Sequence, residues 1–221
     1  YAWLAVMKGK EGEYASGSGY SMDNIRGKNF SFVTNSSTSG FKVPSASIVA
    51  HFSKTDAWKN LKATDLMEGG KDKFFKEVLF GGSHQGAALN LITGKADVAA
   101  FCDEVLNPYV RLVSGQANRP GAVYAIKEGA EEPFKNYVGK EYVLITSTPV
   151  LNSPFVINTK VISKEDQEKI IAALTSEEVA KNPKVFVPKG EKSTGMFSKT
   201  KNERFVKVDD AWFNPVRELS R

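Results

Sequence analysis

Alternating apolar and polar stretches along the chain predict strands and helices that follow one another. Short apolar runs bounded by Gly, Asn or charged residues have the length of strands, and they lie at residues 1–7, 29–34, 78–80, 96–101 and 142–146. Longer stretches carry apolar residues at helical spacing, and they lie at residues 41–53, 83–93 and 104–114. Strands that alternate with helices in this way predict the α/β fold class.

The second half of the chain has a weaker pattern. Residues 115–140 are rich in loop-forming residues, and a further strand is predicted at 155–158. A capping box at Ser163 and Asp166 predicts the start of a helix, with Asp in the place where Glu is usual. Residues 176–221 show a mixed pattern with no clear period.

A run of hydroxyl residues ending in glycine, Asn-Ser-Ser-Thr-Ser-Gly at residues 35–40, joins the strand at 29–34 to the helix at 41–53. The first turn of a helix has backbone N–H groups without partners and a partial positive charge, so it attracts anions. Gly40 would let a ligand approach the backbone closely. The simpler interpretation is an ordinary Ser or Thr N-cap.

A second strand-to-helix turn has a similar composition. Gly-Gly-Ser-His-Gln-Gly at residues 81–86 follows the strand at 78–80, with Ser83 as a natural N-cap and His84 in the first turn. Cys102, Asp103 and Glu104 follow the strand at 96–101. Ligands of open α/β sheets bind outside the carboxyl ends of the strands, where these groups would lie.

Composition excludes several classes of protein. The 221 residues could form one large or two small domains, and no apolar run reaches the ~20 residues of a membrane span. The net charge is +5, but the basic residues alternate with acidic ones, which does not favour nucleic-acid binding. The single cysteine, Cys102, excludes an internal disulfide, and we interpret it as a small buried residue.

The ordered motifs resemble the phosphate-, phosphite- and phosphonate-binding proteins of ABC transporters, which are type II periplasmic binding proteins. The resemblance runs from about Gly27 to Arg217. The residues that carry it are Gly27-Lys28, Ser37-Thr38-Ser39-Gly40, Gly82-Ser83-His84, Gly94-Lys95-Ala96-Asp97-Val98-Ala99 and the tail Val208-Asp209-Asp210-Ala211-Trp212-Phe213-Asn214-Pro215-Val216-Arg217.

The resemblance implies two lobes with mixed sheets flanked by helices. Mapped onto this chain, one lobe covers residues 14–147 and carries most of the anion site. The other combines residues 1–13 with 148–221, and hinge crossings are expected near 8–20 and 146–154. This second lobe is expected to be incomplete, because the family has a further segment before the position that matches Tyr1.

The resemblance also implies a ligand set, with no catalytic residue, metal or cofactor. Five positions match family ligand positions: Ser37, Thr38, Ser39, His84 and Glu104. A wider set of candidates adds Gly40, Ser83, Asp103, Ser153 and Trp3. A second acid that the family can carry is absent here, where Asn152-Ser153-Pro154 stands, so the exact ligand stays open.

The predicted function is capture of a phosphonate, phosphite or phosphate by the solute-binding component of an ABC importer. Its partners would be that small anion and the permease subunits in the membrane, with no nucleic acid, and we expect a monomer. The expected location is the periplasm or an anchored position outside the cell membrane, with any signal or lipoprotein segment lying outside this chain. Two alternatives remain: a ligand sensor of the same fold, and a hydrolase that uses Ser39, His84 and Glu104.

Overall fold

The computed structural model of the chain confirms a mixed α/β fold. It describes residues 1–152, 154–188, 195–199, 202–214 and 217. Two compact units are present, Tyr1–Leu151 and Asn152–Pro215, and each is described by itself.

A seven-stranded mixed sheet forms the first unit. Its spatial order is β3-β2-β4-β1-β7-β6-β5. In chain order the strands are β1 (Ala2–Met7), β2 (Asn29–Phe32), β3 (Glu77–Phe80), β4 (Val98–Cys102), β5 (Val110–Ser114), β6 (Val123–Ile126) and β7 (Glu141–Thr148). Strand β2 runs parallel to β3 and β4, while the pairs β1–β4, β1–β7, β7–β6 and β6–β5 are antiparallel.

The central strand β1 is buried on both faces, because each face of the sheet is covered by its own hydrophobic core. Its side chains alternate between the two, as expected for a strand. Leu4 and Val6 belong to one core together with Phe30 and Phe32. Trp3 and Ala5 belong to the other. This double burial explains why residues 1–7 read as a continuous apolar run.

The first two α-helices of the chain cover opposite faces of the sheet. The α-helices are α1 (Val43–Phe52), α2 (His84–Ile92), α3 (Asp103–Leu106), α4 (Lys164–Leu174) and α5 (Glu177–Lys181). A π-helical turn, Thr38–Lys42, runs directly into α1. Short 3₁₀ turns lie at Glu11–Tyr14, Asp23–Ile25, Asp56–Trp58, Ala63–Met67, Lys135–Tyr137 and Asp210–Phe213.

The parallel strands create a switch point beside β2. The chain passes from β2 through α1 to β3 on one side, and then through α2 to β4 on the other. Helix α1 packs on the first core through Ile48 and Phe52, and α2 packs on the second through Ala88 and Leu91. The first crossover runs from β2 to β3, and the second returns from β3 past β2 to β4. The carboxyl ends of β2 and β4 are therefore the place where an open α/β sheet is expected to bind a ligand.

The helix predicted at residues 104–114 is wrong for most of its length. Helix α3 ends at Leu106, and Val110–Ser114 forms the edge strand β5. Its partner β6 lies within the segment 115–140, which the sequence predicted to be loop. Val110 and Val113 have helical spacing, but pairing with β6 overrides this local pattern, and in the strand Val110 is buried while Val113 is exposed.

The second unit contains α4, α5 and a parallel pair of short strands, Phe186–Pro188 and Phe197–Lys199. The capping prediction is confirmed, since Ser163 Oγ accepts a hydrogen bond from the backbone N–H of Asp166 at 3.1 Å. The predicted strand at 155–158 is wrong, because these residues have no regular structure. Phe155 instead packs edge-on against Phe205, with ring centroids 5.3 Å apart.

The two compact units differ from the lobes mapped from the sequence at the start of the chain. Strand β1, within the residues 1–13 that the resemblance places in the other lobe, lies in the middle of the first unit's sheet, between β4 and β7. The physical reason is the burial of both faces of β1, which only the centre of a sheet provides. The main segment of the first unit ends at Leu151, and the two lobes with their hinge crossings stay a prediction.

Candidate functional site

The turn after β2 is capped by its own serine. Ser37 Oγ accepts a hydrogen bond from the backbone N–H of Gly40 at 3.1 Å, and Ser37 O accepts from the N–H groups of Phe41 and Lys42. The backbone N–H groups of Thr38 and Ser39 precede the first helical bond, so they have no acceptor within the helix. Thr38 is exposed and Ser39 is half-buried. The turn therefore offers two N–H groups and two hydroxyls on one short segment.

Gly40 is required here for packing. A Cβ at this position would lie 2.2 Å from Val33 Cγ2 and 2.9 Å from Ser37 Oγ. The glycine is buried against the end of β2, where Val33 N–H donates to its carbonyl at 3.2 Å. Gly40 thus holds the π-helical turn against the strand, and its part in ligand binding stays a prediction.

The turn after β3 is equally tight. The N–H groups of Gly81 and Gly82 donate to the carbonyls of Phe32 and Val33, which ties this turn to the end of β2. Ser83 Oγ accepts from the backbone N–H of Gly86 at 2.9 Å, so it is the N-cap of α2 as predicted. The two strand-to-helix turns therefore lie side by side at the carboxyl edge of the sheet.

His84 has a defined tautomer. Its Nδ1 accepts a hydrogen bond from the backbone N–H of Cys102 at 3.1 Å. A ring nitrogen that accepts carries no proton, so the neutral imidazole bears its hydrogen on Nε2. Burial also lowers the pKa of His84 below its ordinary value. The side chain is therefore a neutral ring with one N–H donor to offer.

Cys102 joins the two turns. It is the last residue of β4, and its backbone N–H contacts His84 as described. The side chain of Ser39, which belongs to the other turn, is near enough to influence the pKa of the Cys102 thiol. Burial raises the pKa of this thiol, while hydrogen bonds from Val105 and Ser39 act in the opposite direction. The structure thus brings Ser39 and His84 together through a residue that the sequence analysis had assigned only to packing.

The two acidic residues after β4, Asp103 and Glu104, differ in how far their carboxylates are buried. Asp103 is mostly buried, with 16% of its side chain exposed, and its Oδ1 lies 2.5 Å from the backbone nitrogen of Tyr1. Glu104 is exposed in the first turn of α3. Glu104 is therefore the more accessible of the two carboxylates at this edge.

One of the wider candidates is excluded by burial and another lies outside the described residues. Trp3 is 0% exposed, and its Nε1–H donates to Asn118 Oδ1 at 3.1 Å. Its ring packs against Phe101 and Tyr124 in the core, so the expectation of a cleft tryptophan is corrected. Ser153 is not among the residues that the structure describes.

The geometry contradicts a Ser-His-Glu triad. In such a triad the carboxylate accepts a hydrogen bond from the Nδ1–H of the histidine. Here Nδ1 of His84 is itself an acceptor, and its donor is the Cys102 backbone. Glu104 therefore cannot orient His84 as a general base, and the hydrolase alternative loses its orienting group.

A separate groove lies away from this edge of the sheet, and the described residues contain no cluster of metal ligands. Within the described ranges, no group of three or more His, Cys, Asp or Glu side chains could hold a metal ion. A groove of about 670 Å³ lies at the amino end of β2, where Arg26 stacks on Trp58 and Asp23 contacts His51. It shares no lining residue with the Ser39–His84 edge.

The lowered pKa of His84 predicts a pH-dependent stability. The unfolded chain binds a proton on this residue at a higher pH than the folded protein, so the free energy of unfolding should fall as the pH drops below about 6.5. His84→Gln removes this contribution. The melting temperature of the wild type should therefore fall more than that of His84→Gln when the pH is lowered from 8 to 5.

His51→Gln is the matched control, because it changes the other of the two histidines. The difference in melting temperature between wild type and His84→Gln should change with pH in the same way when both proteins also carry His51→Gln. A difference that stays constant from pH 8 to 5 would contradict a buried neutral His84.

Comparison with known proteins decides the family. The profile described as "ABC transporter, phosphonate, periplasmic substrate-binding protein" matches residues 4–213. The chain belongs to this phosphonate-binding family. The family consists of transporter binding proteins that act outside the cytoplasm, and it is not an enzyme family. In the described part of this family member, no helix is long and apolar enough to cross a membrane.

One solved structure similar to this family member is a binding protein component of an ABC phosphonate transporter from Pseudomonas aeruginosa. The identity is 19% and the TM-score is 0.35, and the match covers 79% of this chain and 44% of the solved one. The chain thus spans less than half of that protein's length. No curated protein sequence matches this chain.

Proposed function

We propose that this chain binds a phosphorus oxyanion (a phosphonate, phosphite or phosphate) as the substrate-binding component of an ABC importer. The observation that supports it best is the convergence of Ser39 and His84 on Cys102, at the carboxyl ends of β2 and β4. The ligand residues of this proposal are Ser37, Thr38, Ser39, His84 and Glu104.

The proposed site would hold an anion with neutral donors. Thr38 and Ser39 supply two hydroxyls and two backbone N–H groups at a helical start, and His84 supplies Nε2–H. Hydrogen bonds to a charged group are each worth about 1.5–3 kcal/mol, so a few of them suffice for tight binding. Because Ser37 Oγ is occupied by Gly40 N–H, its hydroxyl proton remains available as a further donor.

Glu104 supplies the proposed selection among anions. A carboxylate repels a fully ionised oxyanion, but it accepts a hydrogen bond from a ligand that keeps a proton or carries an ammonium group. A phosphonate can satisfy this condition, whereas sulfate cannot. An unpaired acceptor at the site costs about 1–3 kcal/mol, which corresponds to roughly tenfold or greater discrimination.

The direct test is a thermal-shift panel on the natural full-length protein with phosphate, phosphite, methylphosphonate, 2-aminoethylphosphonate and sulfate. A ligand at about 100 times its dissociation constant adds roughly 2.7 kcal/mol of stability. We expect a rise in melting temperature with at least one phosphorus compound and none with sulfate.

Glu104→Gln sharpens this test, because the amide has the same shape but can donate to an ionised oxygen. The ratio of the affinity for sulfate to the affinity for the best phosphorus ligand should be higher in the variant than in the wild type. No shift with any phosphorus compound would contradict the proposed function. Family membership extends the proposal to docking on the permease and ATPase subunits of the importer.

A further inference from the structure

A buried polar contact joins helix α2 to strand β2. The side-chain amide of Asn90 in α2 donates through Nδ2 to Ser31 Oγ in β2 at 3.0 Å. Ser31 is 0% exposed and stands between the core residues Phe30 and Phe32, while Asn90 is half-buried. A hydrogen bond depends on distance and angle, whereas apolar contact is non-directional. This bond therefore fixes where α2 lies on β2 more sharply than apolar packing does.

Small side chains surround this bond between α2 and the sheet. Ser31 is paired with Ala99 of β4, and Ala99 is paired with Ala5 of β1, so the three residues lie in one row on the same face. Ala88 of α2 belongs to the same hydrophobic core as Ala5 and Ala99. Alanine side chains are too short to interlock, so this row does not by itself set the position of the helix along the strand. The hydrogen bond from Asn90 supplies that information.

The position of α2 matters because the helix begins at His84. Nδ1 of His84 accepts from the backbone N–H of Cys102 at 3.1 Å, and strand β2 leads into the other ligand turn at residues 37–39. Asn90 thus ties the helix that carries His84 to the strand that carries the second turn. Because a helix moves as a rigid element, a shift at Asn90 reaches His84.

We propose that Asn90 and Ser31 are positioning residues that fix α2 on β2, and thereby hold the Nε2–H of His84 at the distance from the turn at residues 37–39 that a single anion requires. The inference rests on the proposed function, because it concerns the same anion site. In other proteins, a single buried polar group sets the register of packed elements with little gain in stability.

A double variant separates positioning from stability. Ser31→Ala combined with Asn90→Leu removes both partners, so no buried group loses its hydrogen bond and the melting temperature should stay close to that of the wild type. The probe is whichever of phosphate, phosphite, methylphosphonate and 2-aminoethylphosphonate stabilises the wild type most. By calorimetry the double variant should bind it about tenfold more weakly, as expected when one hydrogen bond to a charged group is misaligned. Wild-type affinity in the folded double variant would overturn the positioning role.

A single variant and a matched control complete the binding test. Ser31→Ala alone leaves the half-buried Asn90 amide, which can turn to water, so this variant serves if the double variant does not fold. It should also weaken binding. Ser45 is the other buried serine of the described residues, and its hydroxyl donates to the carbonyl of Lys42 at 3.1 Å without joining α1 to the sheet. Ser45→Ala should bind as the wild type does, and an equal loss of affinity in Ser31→Ala and Ser45→Ala would overturn the proposal.

NMR tests the coupling in the protein without ligand. The ring ¹⁵N resonances of His84 and the amide resonance of Cys102 report on the hydrogen bond between these two residues. Both should move in the double variant and stay in place in Ser45→Ala. Unmoved resonances in the double variant would overturn the link from Asn90 to His84.

The two proposals can fail separately. If the wild type binds none of the phosphorus compounds, the proposed function fails, while the NMR comparison still confirms or overturns the link from Asn90 to His84. If the wild type binds and the double variant keeps both its affinity and its His84 resonances, the proposed function stands and the positioning role fails.

Discussion

Replacing Ser39 and His84 together by alanine should abolish binding of the phosphorus ligand while the protein stays folded. Each side chain supplies one donor to the anion in the proposed site, and hydrogen bonds to charged groups are worth about 1.5–3 kcal/mol each. Loss of both should weaken affinity by about 100-fold or more. Isothermal titration calorimetry with the best ligand of the thermal-shift panel measures the change directly.

A matched control is available on helix α1. Ser47→Ala combined with His51→Ala changes the same residue types, but both positions lie in α1 and outside the two ligand turns. This double variant should bind as the wild type does. Circular dichroism should show folded protein for both double variants. Unchanged affinity in the Ser39→Ala, His84→Ala protein would exclude these residues from the site.

Gly86→Ala should be among the most destabilising single substitutions near the site. A Cβ on Gly86 would lie 2.0 Å from the carbonyl oxygen of Gly81. The obstacle is backbone, so no side-chain rotation relieves it, and the turn between β3 and α2 has to move. We expect a loss of about 3 kcal/mol, or a fall of roughly 6–12 °C in melting temperature.

Gly82→Ala tests the same turn without a clash. Gly82 has φ of +71°, but nothing lies within 4 Å of a Cβ built there. The expected cost is about 1–2 kcal/mol from backbone strain alone. Thermal denaturation of both variants separates the two effects. A Gly86→Ala protein no less stable than Gly82→Ala would show that the turn relaxes easily.

The local parts of the candidate site were predictable because their signals are local. The sequence indicates both strand-to-helix turns, and the structure confirms Ser37 and Ser83 as their N-caps. Each cap involves a hydrogen bond between residues three positions apart, so neighbouring residue types suffice to predict it. The sequence also predicted that the two turns lie close together, because the carboxyl ends of parallel strands meet at one edge of a sheet.

The long-range parts could not be predicted from periodicity. Trp3 is an aromatic residue near the chain start, and only the pairing of β1 with β4 and β7 shows that its ring is buried. The strand β5 requires β6 as a partner, and a loop separates the two along the chain. The periodicity of one segment does not reveal which other segment pairs with it. In each case a contact between distant residues overrides the local preference.

The sequence by itself thus determined the α/β class, the two capped turns and the family, because these depend on local hydrogen bonding, apolar runs and ordered motifs. The tertiary structure alone showed that the backbone N–H of Cys102 donates to Nδ1 of His84, and that Ser39 is near enough to Cys102 to lower the pKa of its thiol. These three residues lie on three different segments of the chain. Only the assembly of β2 and β4 in one sheet, with α2 packed beside them, brings their donors and acceptors within bonding distance.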